Sequence, residues 1–179
     1  MSDAEKYSLN SQEVAQATYK LLEQRGVTIA DIAELVHFLQ AKYVPGLTIE
    51  DCNVHVEAVL SKREVQNAIL TGIQLDILAE QKQLLQPLQA MIENDEGLYG
   101  CDEILALSIV NVYGSIGFTN FGYIDKVKPG ILVRLNTKNG RDTHTFLDDI
   151  VGAIAASAAS RLAHRNQAER EGVTTPPLD

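Results

Sequence analysis

Phe146-Leu147-Asp148-Asp149-Ile150-Val151-Gly152-Ala153 opens a stretch that stays rich in alanine as far as Arg165. Alanine is the strongest helix former, so the stretch predicts a long last helix from about Phe146 to Arg165. Its small residues Ala153, Ala156, Ser157 and Ser160 permit close approach of another helix. Two adjacent carboxylates stand among the apolar residues of its first turn. Carboxylates there are costly to bury unless something pairs with them, and a divalent cation is one such partner.

Helical periodicity extends outward from this stretch, and no convincing strand alternation interrupts it. Asn10 with Glu13 predicts a cap and its reciprocal acid, opening a helix through Val14, Ala17, Leu21 and Leu22 that Gly26 stops. Thr28 with Asp31 repeats the signature ahead of Ile32, Leu35, Val36 and Leu39. Tyr43-Val44-Pro45-Gly46 is a turn. A third helix spans Thr48 to about Leu60. A fourth begins at Ser61 with Glu64 and continues through Val65, Ala68, Ile69, Ile73 and Ile77 towards Leu84. Gly72 within it costs about 1 kcal/mol against Ala and predicts a close helix crossing. Pro87 suits the first turn of a helix ending near Asn94, and Asp95-Glu96-Gly97 is a loop. A helix from about Asp102 to Tyr113 is bent or broken by Gly114 and Gly117. A short segment from Phe118 carries Asp125 and ends before Pro129. Another short helix covers Gly130 to about Leu135, and Asn136 to Thr143 is a polar loop. The expected fold class is all-α, a single compact bundle-like multi-helix domain over residues 1–168, with a disordered tail at 169–179.

A chain of 179 residues fits one domain, and a hydrophobic content of 45% supports a real core. The net charge of -9 argues against a nucleic-acid partner and against broad electrostatic adhesion to anionic lipid. Cys52 and Cys101 have no CxxC spacing and make no disulfide framework, so a reduced, cytoplasmic setting is expected. Met1 to Asn10 lacks the apolar core of a signal peptide. The longest nearly apolar window, Ile104 to Phe118, falls short of the roughly 20 residues of a spanning helix. No transmembrane segment is expected, and contact with lipid would be peripheral, at the inner membrane surface. Oligomeric state is left open, with self-association allowed by the small-residue face of the last helix.

Three acidic clusters carry the candidate chemistry: Asp102-Glu103, Asp125, and Asp148-Asp149. Mg²⁺ takes carboxylate oxygens, keeps several waters, and is commonly held by a few acids plus substrate phosphate. Bound metal makes hydroxide available near neutral pH and offsets charge on a phosphoryl transition state. Lys128 lies one helical turn from Asp125 and suits contact with that phosphate. Pro129 and Gly130 would expose backbone amides at the next helix start, a favourable place for an anion. A plainer reading stands beside each cluster. Asp102 and Glu103 complement a helix dipole; Thr145 with Asp148 fits a capping box; Asp125 with Lys128 is an exposed i,i+3 ion pair worth a few tenths of a kcal/mol. Convergence of all three clusters would decide between the readings. Asp51 with His55 and His144 with Asp148 also have i,i+4 spacing suited to metal, though surface pairs are the commoner case. No GxxxxGK[ST] loop or GxSxG elbow occurs, and neither cysteine has an arginine six positions on. Covalent catalysis therefore has little support, and attack by metal-activated water fits the acids better.

At these residues the chain resembles the phosphatidylglycerophosphatase A family. Phe118-Thr119-Asn120-Phe121-Gly122-Tyr123-Ile124-Asp125-Lys126-Val127-Lys128-Pro129 resembles its "FRxxDxxKP" element. Phe146 to Ala153 is similar to its "DDxxAG" element, and Cys101-Asp102-Glu103-Ile104 stands in the place of its "WDE" element. Tyr43-Val44-Pro45-Gly46 is similar to a proline-glycine segment of the family. Cys101 replaces the family's Trp, Gly122 replaces an Arg before the Asp, and the spans of many members have no counterpart. The nearest likeness is to the soluble Gram-positive branch, related to low-temperature-requirement C proteins.

The resemblance implies an Mg²⁺-dependent phosphatase that removes phosphate from phosphatidylglycerophosphate, the last step in making the phospholipid phosphatidylglycerol. It implies that Asp102, Glu103, Asp125, Asp148 and Asp149 hold metal and position water, while Lys128 binds phosphate. Asp102, Glu103, Asp125, Lys128 and Asp149 are then the catalytic set. Two alternatives remain: a phosphatase of a soluble organic phosphate ester, and a non-catalytic helical protein that uses the pocket for ligand binding or self-association.

Overall fold

A computed structural model describes residues 10–138 and 140–172, and all regular structure among them is helical. The chain forms α1 (Ser11–Gln24), α2 (Ile29–Gln40), α3 (Ile49–Leu60), α4 (Arg63–Glu80) and α5 (Leu88–Asn94). Then follow α6 (Cys101–Val110), a 3₁₀ turn at Asn111–Tyr113, α7 (Gly114–Val127), α8 (Ile131–Leu135) and α9 (Leu147–Arg170). The all-α expectation is met.

Local chemistry sets the helix starts. At Thr28 the hydroxyl accepts the Asp31 N–H at 3.1 Å while the Asp31 carboxylate takes the Thr28 N–H at 2.8 Å. Thr48 and Asp51 form the same box at 3.1 and 3.0 Å, a pairing that satisfies two otherwise orphaned donors. Asn10 caps α1 differently from expectation, by accepting the Gln12 N–H at 2.8 Å. Ser61 does not open α4. Its hydroxyl bonds the Ala58 carbonyl at the end of α3, and α4 starts two residues later without a side-chain cap. α4 also stops at Glu80, short of Leu84.

α9 is the axis of the fold. Every residue from Leu147 to Ser160 is buried, because α2, α3, α4, α6, α7 and α8 all pack on it. A helix buried on all sides needs small residues on every face, since large ones would hold its neighbours apart. The alanine-rich composition is therefore explained by a ring of neighbours rather than by one close crossing. α9 also runs to Arg170, past the expected end at Arg165 and into the expected tail. Residues 173–179 of that tail lie outside the described residues.

Gly72 of α4 is one of these close approaches. A Cβ there would overlap Ile150 Cδ1 and sit 3.0 Å from Phe146 Cβ. The segment expected from Phe118 is instead the second half of α7, a helix begun at Gly114. Gly114 has φ +75° and ψ −164°, backbone that disfavours a side chain, and it ends the 3₁₀ turn. Cys101–Val127 taken as one stretch is long and apolar enough to cross a membrane, with mean hydropathy 1.4 and 33% of its most apolar window buried. The turn at Asn111–Gly114 divides it, and both halves lie against α9. The N-termini of α6 and α9 and the C-terminus of α7 therefore meet at one end of the bundle.

Candidate functional site

The three acidic clusters converge at that end. Asp102 and Glu103 occupy the first turn of α6, and Asp148 and Asp149 the first turn of α9. Oxygens of Asp102, Glu103 and Asp149 all lie within 4.8 Å of one another. Lys128 joins the remaining acids to them: its Nζ is 2.6 Å from Asp125 Oδ1, 2.8 Å from Asp148 Oδ2 and 3.6 Å from Asp149 Oδ1. The Asp125–Lys128 pair is thus no exposed i,i+3 bridge.

Backbone geometry aims this lysine. Lys128 is the C-cap of α7 and takes a left-handed conformation, φ 48° and ψ 53°, before Pro129 and Gly130. For a residue with a Cβ that conformation costs about 1 kcal/mol or more. The turn points Nζ back at α9 rather than onward, and three carboxylates hold it there. Pro129 and Gly130 lead into an α8 of 5 residues.

Electrostatics at the centre reflect crowded acids. Burial, then the neighbouring Glu103, pushes Asp102 up to about 7. Burial, then Asp148, pushes Asp149 up to about 8, against the pull of Lys128. Asp148 is raised by burial while the Lys128 ammonium works to lower it. Burial alone would lower Lys128, but Asp148 and Asp125 outweigh it and hold its pKa up. The ammonium is firmly charged and lies 2.8 Å from the buried Asp148, whose carboxylate it pulls towards the ionised form against burial. The positive ends of α6 and α9 add support for negative charge, but one lysine does not balance five acids.

The residues fit a hard divalent cation. Asp102 Oδ1 is buried and finds no hydrogen-bond partner among the described residues, a costly state that a cation would relieve. The donors at hand are carboxylate oxygens, the ligand type Mg²⁺ prefers.

Asp76 was not foreseen. It is fully buried, and its carboxylate accepts the Phe146 N–H at 3.1 Å and the Leu147 N–H at 3.0 Å. It caps α9 from another helix, so Thr145 does not form a box with Asp148; the Thr145 hydroxyl donates to the Ile92 carbonyl at 2.6 Å. Burial raises Asp76 well above the ordinary carboxylate range, against those two amides. Its signal in the sequence is position: Ile69, Ile73 and Asp76 share the apolar stripe of α4, where an acid needs a partner. The preceding loop is tied down by Arg25, which binds Glu80 and the Thr143 carbonyl at 2.8 Å, while Glu80 accepts the Thr143 N–H at 2.7 Å.

Neither histidine of the weaker pairs joins the centre. Asp51 serves its capping box, and His55 Nδ1 faces Arg161 Nη1 at 3.0 Å. His144 Nδ1 meets the Leu135 carbonyl at 3.1 Å. Cys52 is buried and Cys101 exposed, both as free thiols. A cleft of about 40 Å³ lined by Asp95, Lys138, His144 and Asp148 adjoins the centre. A groove of about 520 Å³ between Tyr43, Ser115, Asn120 and Arg170 shares no residue with it.

Known proteins give the same arrangement a context. The chain is 66% identical over 165 residues to the uncharacterized protein YutG of Bacillus subtilis (strain 168), covering 92% of this chain and 97% of that one. The crystal structure of the low temperature requirement C protein from Listeria monocytogenes superposes with a TM-score of 0.86 at 66% identity, covering 88% of this chain and 99% of that one. The YpjQ protein of Bacillus subtilis superposes with a TM-score of 0.85 at 56% identity, covering 89% and 98%. The phosphatidylglycerophosphatase A family pattern matches residues 17–164, a span that holds all six charged residues of the centre. The chain belongs to the phosphatidylglycerophosphatase A family.

Proposed function

We propose that the protein is an Mg²⁺-dependent phosphomonoesterase that removes the terminal phosphate of phosphatidylglycerophosphate. The observation that carries this reading is the meeting of Asp102, Glu103 and Asp149 oxygens within 4.8 Å beside the Lys128 ammonium. Family membership supports the substrate class. Asp102, Glu103 and Asp149 would hold the cation, with Asp125 and Asp148 completing the acidic wall. The metal, when bound, supplies positive charge to the transferring phosphoryl group and acidifies water.

Lys128 keeps Asp125 and Asp148 in place and offers its ammonium to a phosphate oxygen next to the metal-holding acids. Asp125 has the most exposed side chain among the partners of Lys128. It suits the task of orienting an attacking water and taking its proton at a carboxylate oxygen. Asp102 and Asp149, raised towards neutrality, would have to be ionised to hold a cation, so metal affinity would rise with pH through that range.

The test is phosphate release with Mg²⁺ from phosphatidylglycerophosphate in vesicles beside soluble phosphate esters, with EDTA controls. EDTA-sensitive release confined to the lipid supports the reading. Release from a soluble ester alone replaces the substrate, and no release from any of them by folded protein rejects the enzyme.

A further inference from the structure

A groove runs along the half of α9 remote from the acidic centre. Its walls are the end of α2 with the Tyr43-Val44 turn, the first half of α7, and the last turns of α9. Asn166 in its wall lies about 25 Å along α9 from Asp149, at 1.5 Å per residue, so the groove is a separate place from the metal-holding acids. Its volume of about 520 Å³ falls within the range of small-molecule sites, and Val44, Ile116 and Ala163 supply its apolar part. Two carboxamides in the wall are left without partners. Gln40 is only 3% exposed, yet its side-chain amide makes no hydrogen bond among the described residues. Asn120 Nδ2 is buried and likewise finds no acceptor among them. Buried amides left unpaired are costly, and they mark places where a ligand or an ordered water bonds.

The chemistry of the wall indicates the ligand. The chain has 24 acidic against 15 basic residues, yet no acid lines this groove. A carboxamide donates and accepts at once, as a sugar hydroxyl does, so Gln40, Asn120 and Asn166 suit a polyol. Arg170 is the cation of the wall. Among the described residues its guanidinium touches only the Tyr43 carbonyl, at 3.4 Å. The acids near it in sequence are engaged elsewhere, Glu169 with Arg165 at 3.3 Å and Glu171 with Gln167 at 2.9 Å. The remaining guanidinium donors suit a phosphate or a carboxylate.

We propose that this groove binds a small polyhydroxylated anion, a sugar phosphate or a sugar acid, with Gln40 and Asn120 on its hydroxyls and Arg170 on its anionic group. The site stands apart from the phosphatase reading, since none of its residues belongs to the acidic centre, and binding there is measurable without turnover.

The experiment is calorimetric titration of the full chain in EDTA with glucose 6-phosphate, gluconate, glucose and inorganic phosphate, beside proton–nitrogen NMR spectra of the side-chain amides. Wild type, Gln40→Met, Asn120→Leu and Arg170→Met are compared, with circular dichroism for folding. Wild type should bind at least one of the two sugar anions with a dissociation constant of about 1 mM or tighter, and which one it binds identifies the anionic group. The Gln40 and Asn120 amide signals, identified by their loss from the variants, should move as it binds. Arg170→Met, a change at an exposed position, should weaken the anion by about tenfold and leave the weaker binding of glucose unchanged. Gln40→Met and Asn120→Leu should weaken anion and glucose alike by about fivefold. Binding of neither anion, equal binding by wild type and Arg170→Met, or inorganic phosphate bound as tightly as the sugar anions overturns the proposal. Amide signals of Gln40 and Asn120 that stay in place while those around Asp102 and Asp149 move would put the anion in the acidic centre and overturn it likewise.

Discussion

Lys128 is surrounded by Asp125, Asp148 and Asp149, and its backbone is held in a left-handed turn to reach them. Replacing it strands buried carboxylates, which ordinarily costs about 3–5 kcal/mol. Partial exposure of the lysine screens the pair and brings the expectation for Lys128→Met to about 2 kcal/mol, read as a lower urea midpoint. Added Mg²⁺ should recover part of that loss, because a cation replaces the missing ammonium; a loss unaffected by Mg²⁺ would separate the lysine from the metal centre.

The raised acids make stability pH-dependent in the metal-free protein. Asp102, at about 7, and Asp149, at about 8, both start from an ordinary value of 3.8. The folded state therefore keeps protons that the unfolded chain has released. The stability from those protons is complete below the ordinary value and is lost as pH rises through 7 to 8. His55 works with the opposite sign, since burial and then Arg161 depress it from 6.5 to about 4, so its contribution is lost as pH falls through that interval. Asp149→Asn should flatten the decline at the alkaline side in EDTA, measured as the thermal midpoint against pH. An unchanged slope would show that Asp149 titrates normally.

At the scale of helices, the N-terminus of α9 depends on α4. Asp76 is the buried acceptor for the Phe146 and Leu147 amides, and Gly72 lets α4 approach within contact of Phe146 and Ile150. Asp76→Ala leaves those amides unpaired and should cost about 1–3 kcal/mol. Gly72→Ala places a methyl group where Ile150 already stands and should cost about 1–3 kcal/mol despite alanine's better helix propensity. Both are read from urea unfolding, and a stabilised Gly72→Ala would mean that α9 yields at that crossing. The helices themselves were legible: Thr28-Asp31 gave a start, Gly72 gave the crossing, and the acids marked where two helices begin. Less legible was anything decided across elements. Ser61 has the residue type of a cap, but its hydroxyl was taken by the end of α3. Asp76 stands out as an acid in the apolar stripe of α4, but its partners, the first amides of α9, come only with packing. The break at Gly114 could be foreseen, but the conformation that turns α7 back along α9 could not.

Across the whole molecule, a helix buried on every side draws three distant acidic segments to one end, and sequence spacing alone left that convergence open. Residue roles came from likeness to a family, while the meeting of those residues came from packing. A metal held by a site assembled from the ends of α6, α7 and α9 would couple its binding to folding. Mg²⁺ at about 100 times its dissociation constant should add about 2.7 kcal/mol to stability, raising the thermal midpoint of wild type but not of Asp149→Asn. Phosphate release from phosphatidylglycerophosphate vesicles by wild type and Asp149→Asn, each with Mg²⁺ and with EDTA, tests the central claim most directly. The account predicts release by wild type with Mg²⁺ alone, and loss of at least about a hundredfold in the folded variant. Release that persists in EDTA, or equal release by Asp149→Asn, would contradict it.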